Sequence, residues 1–278
     1  MNWIPLSKLA EIAKDINTVY AAKRNYIEDV DISEDLLSIE LVKTIREVLL
    51  TQRAKQEITK TSDGFHLSVQ AYKATGALER KHGDIAIVVS DNDRRIVGTG
   101  FYEAKLQSLD GGYPAFKMRQ IQKLESSTPR LAIVMHERRE SHICDDPFDW
   151  TLPEYDKKDY HDNLSLCRAL PASWARKFGR LSDAACQRRP FSFGYHFVTR
   201  YLMGSDLDYS RSPVKAIARW VRKTKRASPV VVEITISKSH ESHLFNEPLL
   251  ISPGSSQIFL GQLEKDEKWA QPEFVPIV

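Results

Sequence analysis

The stretch HGDIAIVVSDNDRRIVGTGFYEAKLQ, His82 to Gln107, decides how this chain is read. Asp84 opens an apolar run, Ile85 to Val89, that is rich in β-branched residues, too short for a typical helix, and closed by the turn-forming Ser90-Asp91-Asn92-Asp93. A second run, Ile96 to Leu106, holds Ile96, Val97, Phe101 and Tyr102, which favour extended structure. Its glycines, Gly98 and Gly100, weaken it as an ordinary strand and point to a bulge or a close backbone approach. The short connection between the runs reads as a hairpin. Strand alternation then puts Glu103 and Lys105 on one face, roughly 6–7 Å apart along the backbone, with Ala104 on the other. Antiparallel pairing returns this end of the second strand to the start of the first, where Asp84 sits. Two carboxylates and an ammonium converge.

On a solvated strand the same residues would be a surface ion pair worth at most about 1 kcal/mol, and a bare E-x-K recurs by chance. What sets this stretch apart is the whole arrangement: Gly83-Asp84 at a strand start, hairpin spacing, and charges at the far end of an otherwise apolar strand.

Upstream, Phe65 to Tyr72 alternates well enough to be an early strand of the same sheet. Before it, Leu9, Ile12, Ala13, Ile16, Val19 and Tyr20 recur at helical spacing from Pro5 to about Tyr26, and a second helix runs from Ser33 to about Gln52. Downstream, Gly111-Gly112-Tyr113-Pro114 breaks the chain. A helix through Phe116 to Leu124 follows, and then an apolar strand, Leu131 to Met135. A strand, a helical crossover and a second strand make the parallel connection of an α/β core.

Gly83-Asp84-Ile85 followed by Glu103-Ala104-Lys105 resembles the core motif of the PD-(D/E)XK nuclease superfamily, the restriction-endonuclease-like fold, with Gly83 standing where the family name has proline. The resemblance covers about residues 79 to 136. It implies an α/β fold: a restriction-endonuclease-like mixed central sheet flanked by helices, here with a helical C-terminal extension. It also implies Mg²⁺, or Mn²⁺ in its place, held by Asp84, Glu103 and the carbonyl of Ala104, with Lys105 as the catalytic base or charge stabiliser. A glutamate from the helix before the core sheet often joins such sites. Glu40 and Glu47, a heptad apart on one stripe, are therefore candidates, as is Glu79, which lies five residues before Asp84 and could reach the pocket from a loop. Gln120 and Lys123 occupy the place where family members often supply an auxiliary glutamine or basic residue; a solvated helix face is the other reading of both.

Beyond the motif, Cys144 to Asp162 is acidic and aromatic and resembles a long loop or insertion. Residues 171–189, 192–204 and 212–226 read as three helices, followed by an apolar strand, VVVEITI. In the last helix Val214, Ile217, Ala218 and Val221 form an inner face, while Arg219, Arg222 and Lys223 crowd elsewhere, suited to the phosphate backbone of a nucleic acid. The expected organisation is N-terminal helices plus a nuclease-like core over residues 1–143. Over residues 144–278 an acidic insertion and a basic helical part pack on that core.

The chain has 278 residues and a formal charge of only +3, so its overall field does not announce nucleic acid and any basic surface must be local. Its three cysteines are odd in number and widely spaced, as free thiols in a reducing compartment would be. The first residues carry Lys8 and Lys14 among apolar ones, unlike a signal peptide or a membrane span, which leads us to expect a cytoplasmic protein. The expected function is a metal-dependent nuclease acting on nucleic acid, DNA before RNA, in restriction, repair or phage defence, as a homodimer or with a protein partner in a multi-component system. The alternative is an inactive nuclease-fold module that binds nucleic acid or a protein partner.

Overall fold

Strands buried on both faces carry near-continuous apolar runs rather than an alternating pattern, and Ile85 to Val89 is such a run. In the computed structural model, which describes residues 6–27, 32–58, 67–91, 96–109, 111–113, 117–142, 164–178 and 191–223, Ile85, Ile87 and Val89 pack on one face of a sheet and Ala86 and Val88 on the other. The sheet has six strands in chain order: β1 (Leu67–Lys73), β2 (Ile85–Asp91), β3 (Ile96–Leu106), β4 (Ala132–His142), β5 (Leu164–Pro171) and β6 (Phe191–Ser192). It is mixed, because only β3 and β4 run parallel.

Helices cover both faces. Helix α1 (Leu6–Asn25) and helix α2 (Glu34–Ile58) lay Ile16, Tyr20, Leu41 and Ile45 on the face of Ile85 and Ile87. They are joined there by α6 (Phe193–His196), which passes into a π-helical stretch, Phe197–Leu202. The opposite face receives Leu78 of α3 (Ala77–His82), Ile121 and Leu124 of α4 (Met118–Ser127), Ala172 and Ala175 of α5 (Ala172–Phe178), and Val214, Ile217 and Ala218 of α7 (Arg211–Lys223). The α/β class, the mixed sheet, and the β3–α4–β4 parallel crossover follow the sequence expectation.

Two departures, and one choice between two expectations, have physical reasons. Strand β5 falls almost wholly between the expected acidic loop, 144–162, and the helix expected from 171, a stretch the sequence reading leaves unassigned, because Arg168 breaks its apolar pattern; that guanidinium is buried at 2.9 Å from Glu137 on β4 and so costs the strand no solvent exposure. Residues 77–82 form helix α3, not a loop, so Glu79 is carried on a helical turn. Gly98 and Gly100 make no bulge: the β2–β3 register runs unbroken through Val89 to Gly98 and Ile87 to Gly100. They serve close approach instead, since a Cβ at Gly100 would fall 2.6 Å from the Tyr201 ring and one at Gly98 2.7 Å from Leu207. Strands β5 and β6, which lie beyond residue 143, extend the same sheet. The acidic segment 144–162, the expected strand VVVEITI and most of the helix expected over 171–189 lie outside the described residues. Among the described residues, no helix is long and apolar enough to cross a membrane.

Candidate active site

The site begins with a glycine. Gly83 ends α3 at φ 119°, a conformation closed to proline, and a Cβ there would lie 2.8 Å from the Tyr102 carbonyl oxygen. Gly83 therefore stands at the proline position of the resembled motif for a steric reason. It lets the chain drop directly onto β3, where Asp84 N donates to that same carbonyl at 2.8 Å. The Asp84 side chain then turns along β3, and its Oδ2 accepts the Ala104 N–H at 2.7 Å.

On β3, alternation puts Glu103 and Lys105 on the α3/α4 face, beyond Phe101, which fills the core there. Lys105 Nζ donates to Glu103 Oε1 at 2.7 Å and to the Ala104 carbonyl at 2.5 Å. Gln120, reaching from α4, donates to the same Glu103 oxygen at 2.6 Å. Asp84, Glu103 and Lys105 are all buried, yet they line a cleft of about 440 Å³. Its rim carries Arg80 of α3 and Lys117 and Lys123 beside and on α4.

Glutamate does join the cluster from the helix before the sheet, but at neither position expected. Glu40 pairs with Lys43 and Glu47 with Lys23, and neither lines the cleft. Glu34, in the first turn of α2, does: its Oε2 accepts the Leu106 N–H at 3.2 Å, and its Oε1 lies 3.7 Å from Lys105 Nζ. Acids are common at helix starts for dipole reasons alone, so nothing local in the sequence marks Glu34. Glu79 also lines the cleft, but its Oε2 takes the Gly76 N–H at 3.2 Å and closes the first turn of α3.

The cluster also holds a second lysine that the sequence does not single out. Lys73, the last residue of β1, donates to Asp84 Oδ1 at 3.2 Å and lies 2.9 Å from Asp35 Oδ1. Register explains it: Lys73 pairs with Ile85, next to Asp84.

Electrostatics follow from this crowding. Burial, reinforced by the Asp84 charge, pushes the Glu103 carboxyl up to about 7 despite the opposing Lys105 ammonium. Burial likewise raises Glu34, again against Lys105. For Lys73 burial works to lower the pKa, but the charges and hydrogen bonds of Asp84 and Asp35 outweigh it and leave it raised. These carboxylates repel one another and are held by ammonium groups.

Asp84, Glu103 and the Ala104 carbonyl are oxygen donors of the kind a hard divalent cation takes. Lys105 already sits as a cation on two of them, Glu103 Oε1 and Ala104 O, so the donor set fits the metal that the motif implies. Among the described residues, no three His, Cys, Asp or Glu side chains form a ready-made cage; the third oxygen of this set is from the backbone.

The basic helix α7 stands apart. It packs against α3 and β3, and its Trp220 Nε1 donates to the Thr75 carbonyl at 3.1 Å, just before α3. Arg219 and Lys223 are exposed on it and do not line the cleft; the Arg222 side chain lies outside the described residues. No protein-family model matches the chain, and no curated protein matches it either.

Proposed function

We propose that the chain is a metal-dependent nuclease of the PD-(D/E)XK type, with DNA as its first substrate class. The observation that supports this reading most is the convergence of Asp84, Glu103, the Ala104 carbonyl and Lys105 on one basic-rimmed cleft. A surface ion pair would have no reason to be buried, to be backed by Gln120, or to face Arg80, Lys117 and Lys123.

Asp84, Glu103 and the Ala104 carbonyl would hold Mg²⁺ or Mn²⁺. When bound, the cation makes a water easier to deprotonate and offsets charge on the scissile phosphate. The chain's own residues do the rest. The Ala104 N–H fixes Asp84, and Gln120 fixes Glu103, so the acids are oriented before substrate arrives. Lys105, within reach of both Glu103 and the Ala104 carbonyl, orients the attacking water and, as a compact ammonium, stabilises the charge that builds on the phosphate. Arg80, Lys117 and Lys123 hold the flanking phosphates at the rim, and Arg219, Arg222 and Lys223 extend the binding surface along α7.

The test is incubation of the purified chain with supercoiled, linear and single-stranded DNA and with RNA, in Mg²⁺, Mn²⁺ or chelator. Cleavage that needs the metal and disappears in Lys105→Ala is the expected result. Binding without cleavage under every condition would leave the inactive binding module as the better reading. Neutralising Arg219, Arg222 and Lys223 together should weaken binding for all sequences and flatten its salt dependence, by up to about 0.9 in log–log slope for each phosphate no longer neutralised. An unchanged slope would place the nucleic-acid surface elsewhere.

A further inference from the structure

The acid cluster holds one cation more than the proposed reaction uses. Lys105 has a role beside the phosphate; Lys73 has none. Yet Lys73 is 11% exposed and is placed between two carboxylates with different prospects. Asp84 faces the cleft. Asp35 is 76% exposed, does not line the cleft, and stands at the solvent end of the ion pair.

The two oxygens of Asp84 are also unequal. Oδ2 is taken by the Ala104 N–H at 2.7 Å, a hydrogen bond from the β3 backbone that holds the Asp84 side chain in place. Oδ1 is the oxygen left for a cation, and Lys73 Nζ sits on it at 3.2 Å. A divalent ion and an ammonium at one carboxylate oxygen repel strongly at such distances. The ammonium already has its second partner, Asp35 Oδ1, at 2.9 Å.

We propose that Lys73 is an internal counter-ion of the metal site, which neutralises Asp84 while no metal is bound and yields Oδ1 to the incoming divalent cation by passing to Asp35. This rests on the reading of the cleft as a metal site. Lys73 thereby sets the concentration at which the site loads. A divalent cation offers more charge than the ammonium it displaces, whereas a monovalent one does not, so the exchange also discriminates by charge. Asp35 is the acceptor that keeps the displaced ammonium paired.

The experiment is a calorimetric titration of Mn²⁺, and separately of Mg²⁺, into the full chain without nucleic acid. It compares wild type, Lys73→Met, Lys73→Gln, Asp35→Asn and the Lys73→Met/Asp35→Asn double variant, with Asp84→Asn as the control that removes the ligand. Removing Lys73 should tighten metal binding by about tenfold, a direction opposite to what structural damage would give. Asp35→Asn should weaken binding severalfold, because Lys73 is then left with Asp84 alone. That weakening should vanish in the Lys73→Met background, since Asp35 acts through Lys73. Equal or weaker affinity in both Lys73 variants overturns the proposal, as does an Asp35→Asn effect of the same size in both backgrounds. Should neither Lys73 variant fold, Asp35→Asn decides alone: an unchanged affinity overturns the proposal. If wild type and Lys73 variants bind no metal at all, it is the metal-site reading itself that fails, a result distinct from binding that ignores Lys73.

Discussion

Glu103 and His136 lie on the neighbouring parallel strands β3 and β4, both buried, on opposite faces of the sheet. Burial has done opposite things around them. Glu103 has charge close by: the Lys105 ammonium shares its oxygen with the neutral Gln120 amide, Asp84 is close enough to raise its pKa, and a cleft is open in front of it. The groups in direct contact with the His136 ring nitrogens are neutral. The Tyr20 hydroxyl lies 2.8 Å from Nδ1 and the Ser38 hydroxyl 3.4 Å from Nε2, and the buried Cys167 sulfur is 3.8 Å from Nδ1. With its proton on Nε2, the ring satisfies both hydroxyls without charging, and burial, with Lys73, Lys105 and Arg24 nearby, lowers its pKa to about 3. A buried ionisable group given charged partners and access to a cleft is poised for chemistry, whereas one given neutral partners under two helices is a strut.

The comparison breaks most easily on activity. Lys105→Ala or Glu103→Gln should lower cleavage by at least about a hundredfold, the scale of losing one preorganised charge or donor at a reacting phosphate. Tyr20→Phe should leave turnover within about twofold of wild type. If Tyr20→Phe were as damaging as Lys105→Ala at a temperature where both are folded, the two faces would not be functionally separate.

Stability should divide them the other way. Tyr20→Phe removes a buried hydroxyl and leaves the His136 nitrogen without it, a loss of about 1–3 kcal/mol by denaturant unfolding. Glu103→Gln keeps the shape and removes a carboxylate that Asp84 repels, so the metal-free protein should be as stable as wild type or slightly more so. A Glu103→Gln variant clearly less stable than Tyr20→Phe would make Glu103 structural.

How much of this is visible in the chain differs between the two regions for a physical reason. Asp84, Glu103 and Lys105 come together through period-two alternation and one hairpin, rules that act over a few residues, so the sequence is enough to place them. Gln120 and Lys123 follow because a short crossover leaves a helix little choice of position, and the structure puts both on the cleft. Glu34 and Lys73 arrive by docking of α2 and by pairing of β1 with β2 across the connection that carries α3, and an acid at a helix start or a lysine at a strand end has a bland explanation nearby. The strut is invisible altogether: Tyr20, Ser38, His136 and Cys167 come from four separate elements, each looking like an ordinary core or helix position. Strand β5 is obscured by the same kind of event, a charge whose partner, Glu137, lies on another strand.

A smaller effect separates the regions by their response to metal. If the cleft binds a divalent cation, millimolar Mg²⁺ or Mn²⁺ should raise the melting temperature through preferential binding to the folded state, by the equivalent of about 1–3 kcal/mol at saturating concentrations. Asp84→Asn should abolish that increment. Tyr20→Phe should keep it whole, on a lower baseline. Wild type whose melting is indifferent to both metals, with DNA present as well as absent, would remove the chemical half of the comparison.

The subtlest difference is the pH dependence of the metal-free protein, where the two groups pull in opposite directions. Glu103 has a folded pKa raised from 4.5 to about 7, so its folded form holds the proton more tightly. Its contribution to stability is fully present below about 4.5 and is lost as pH rises through about 7. His136 has a folded pKa lowered from 6.5 to about 3, so its contribution is present above about 6.5 and is lost as pH falls through about 3. His82, lowered to about 4, and His196, lowered to about 3, add to the histidine side. Between about pH 4.5 and 6.5 wild type therefore shows a partial cancellation, with the carboxylate favouring folding on acidification while the histidines oppose it. Glu103→Gln removes an opposing slope, leaving that of the likewise raised Glu34, so its stability should fall more steeply than that of wild type as pH drops from about 7 to about 4.5. His136→Asn should do the reverse and fall less steeply. Parallel stability curves for wild type and Glu103→Gln across this window, measured in chelator, would mean that Glu103 is an ordinary carboxylate. The cleft would then have lost the electrostatic property that distinguishes it from the buried cluster on the other face.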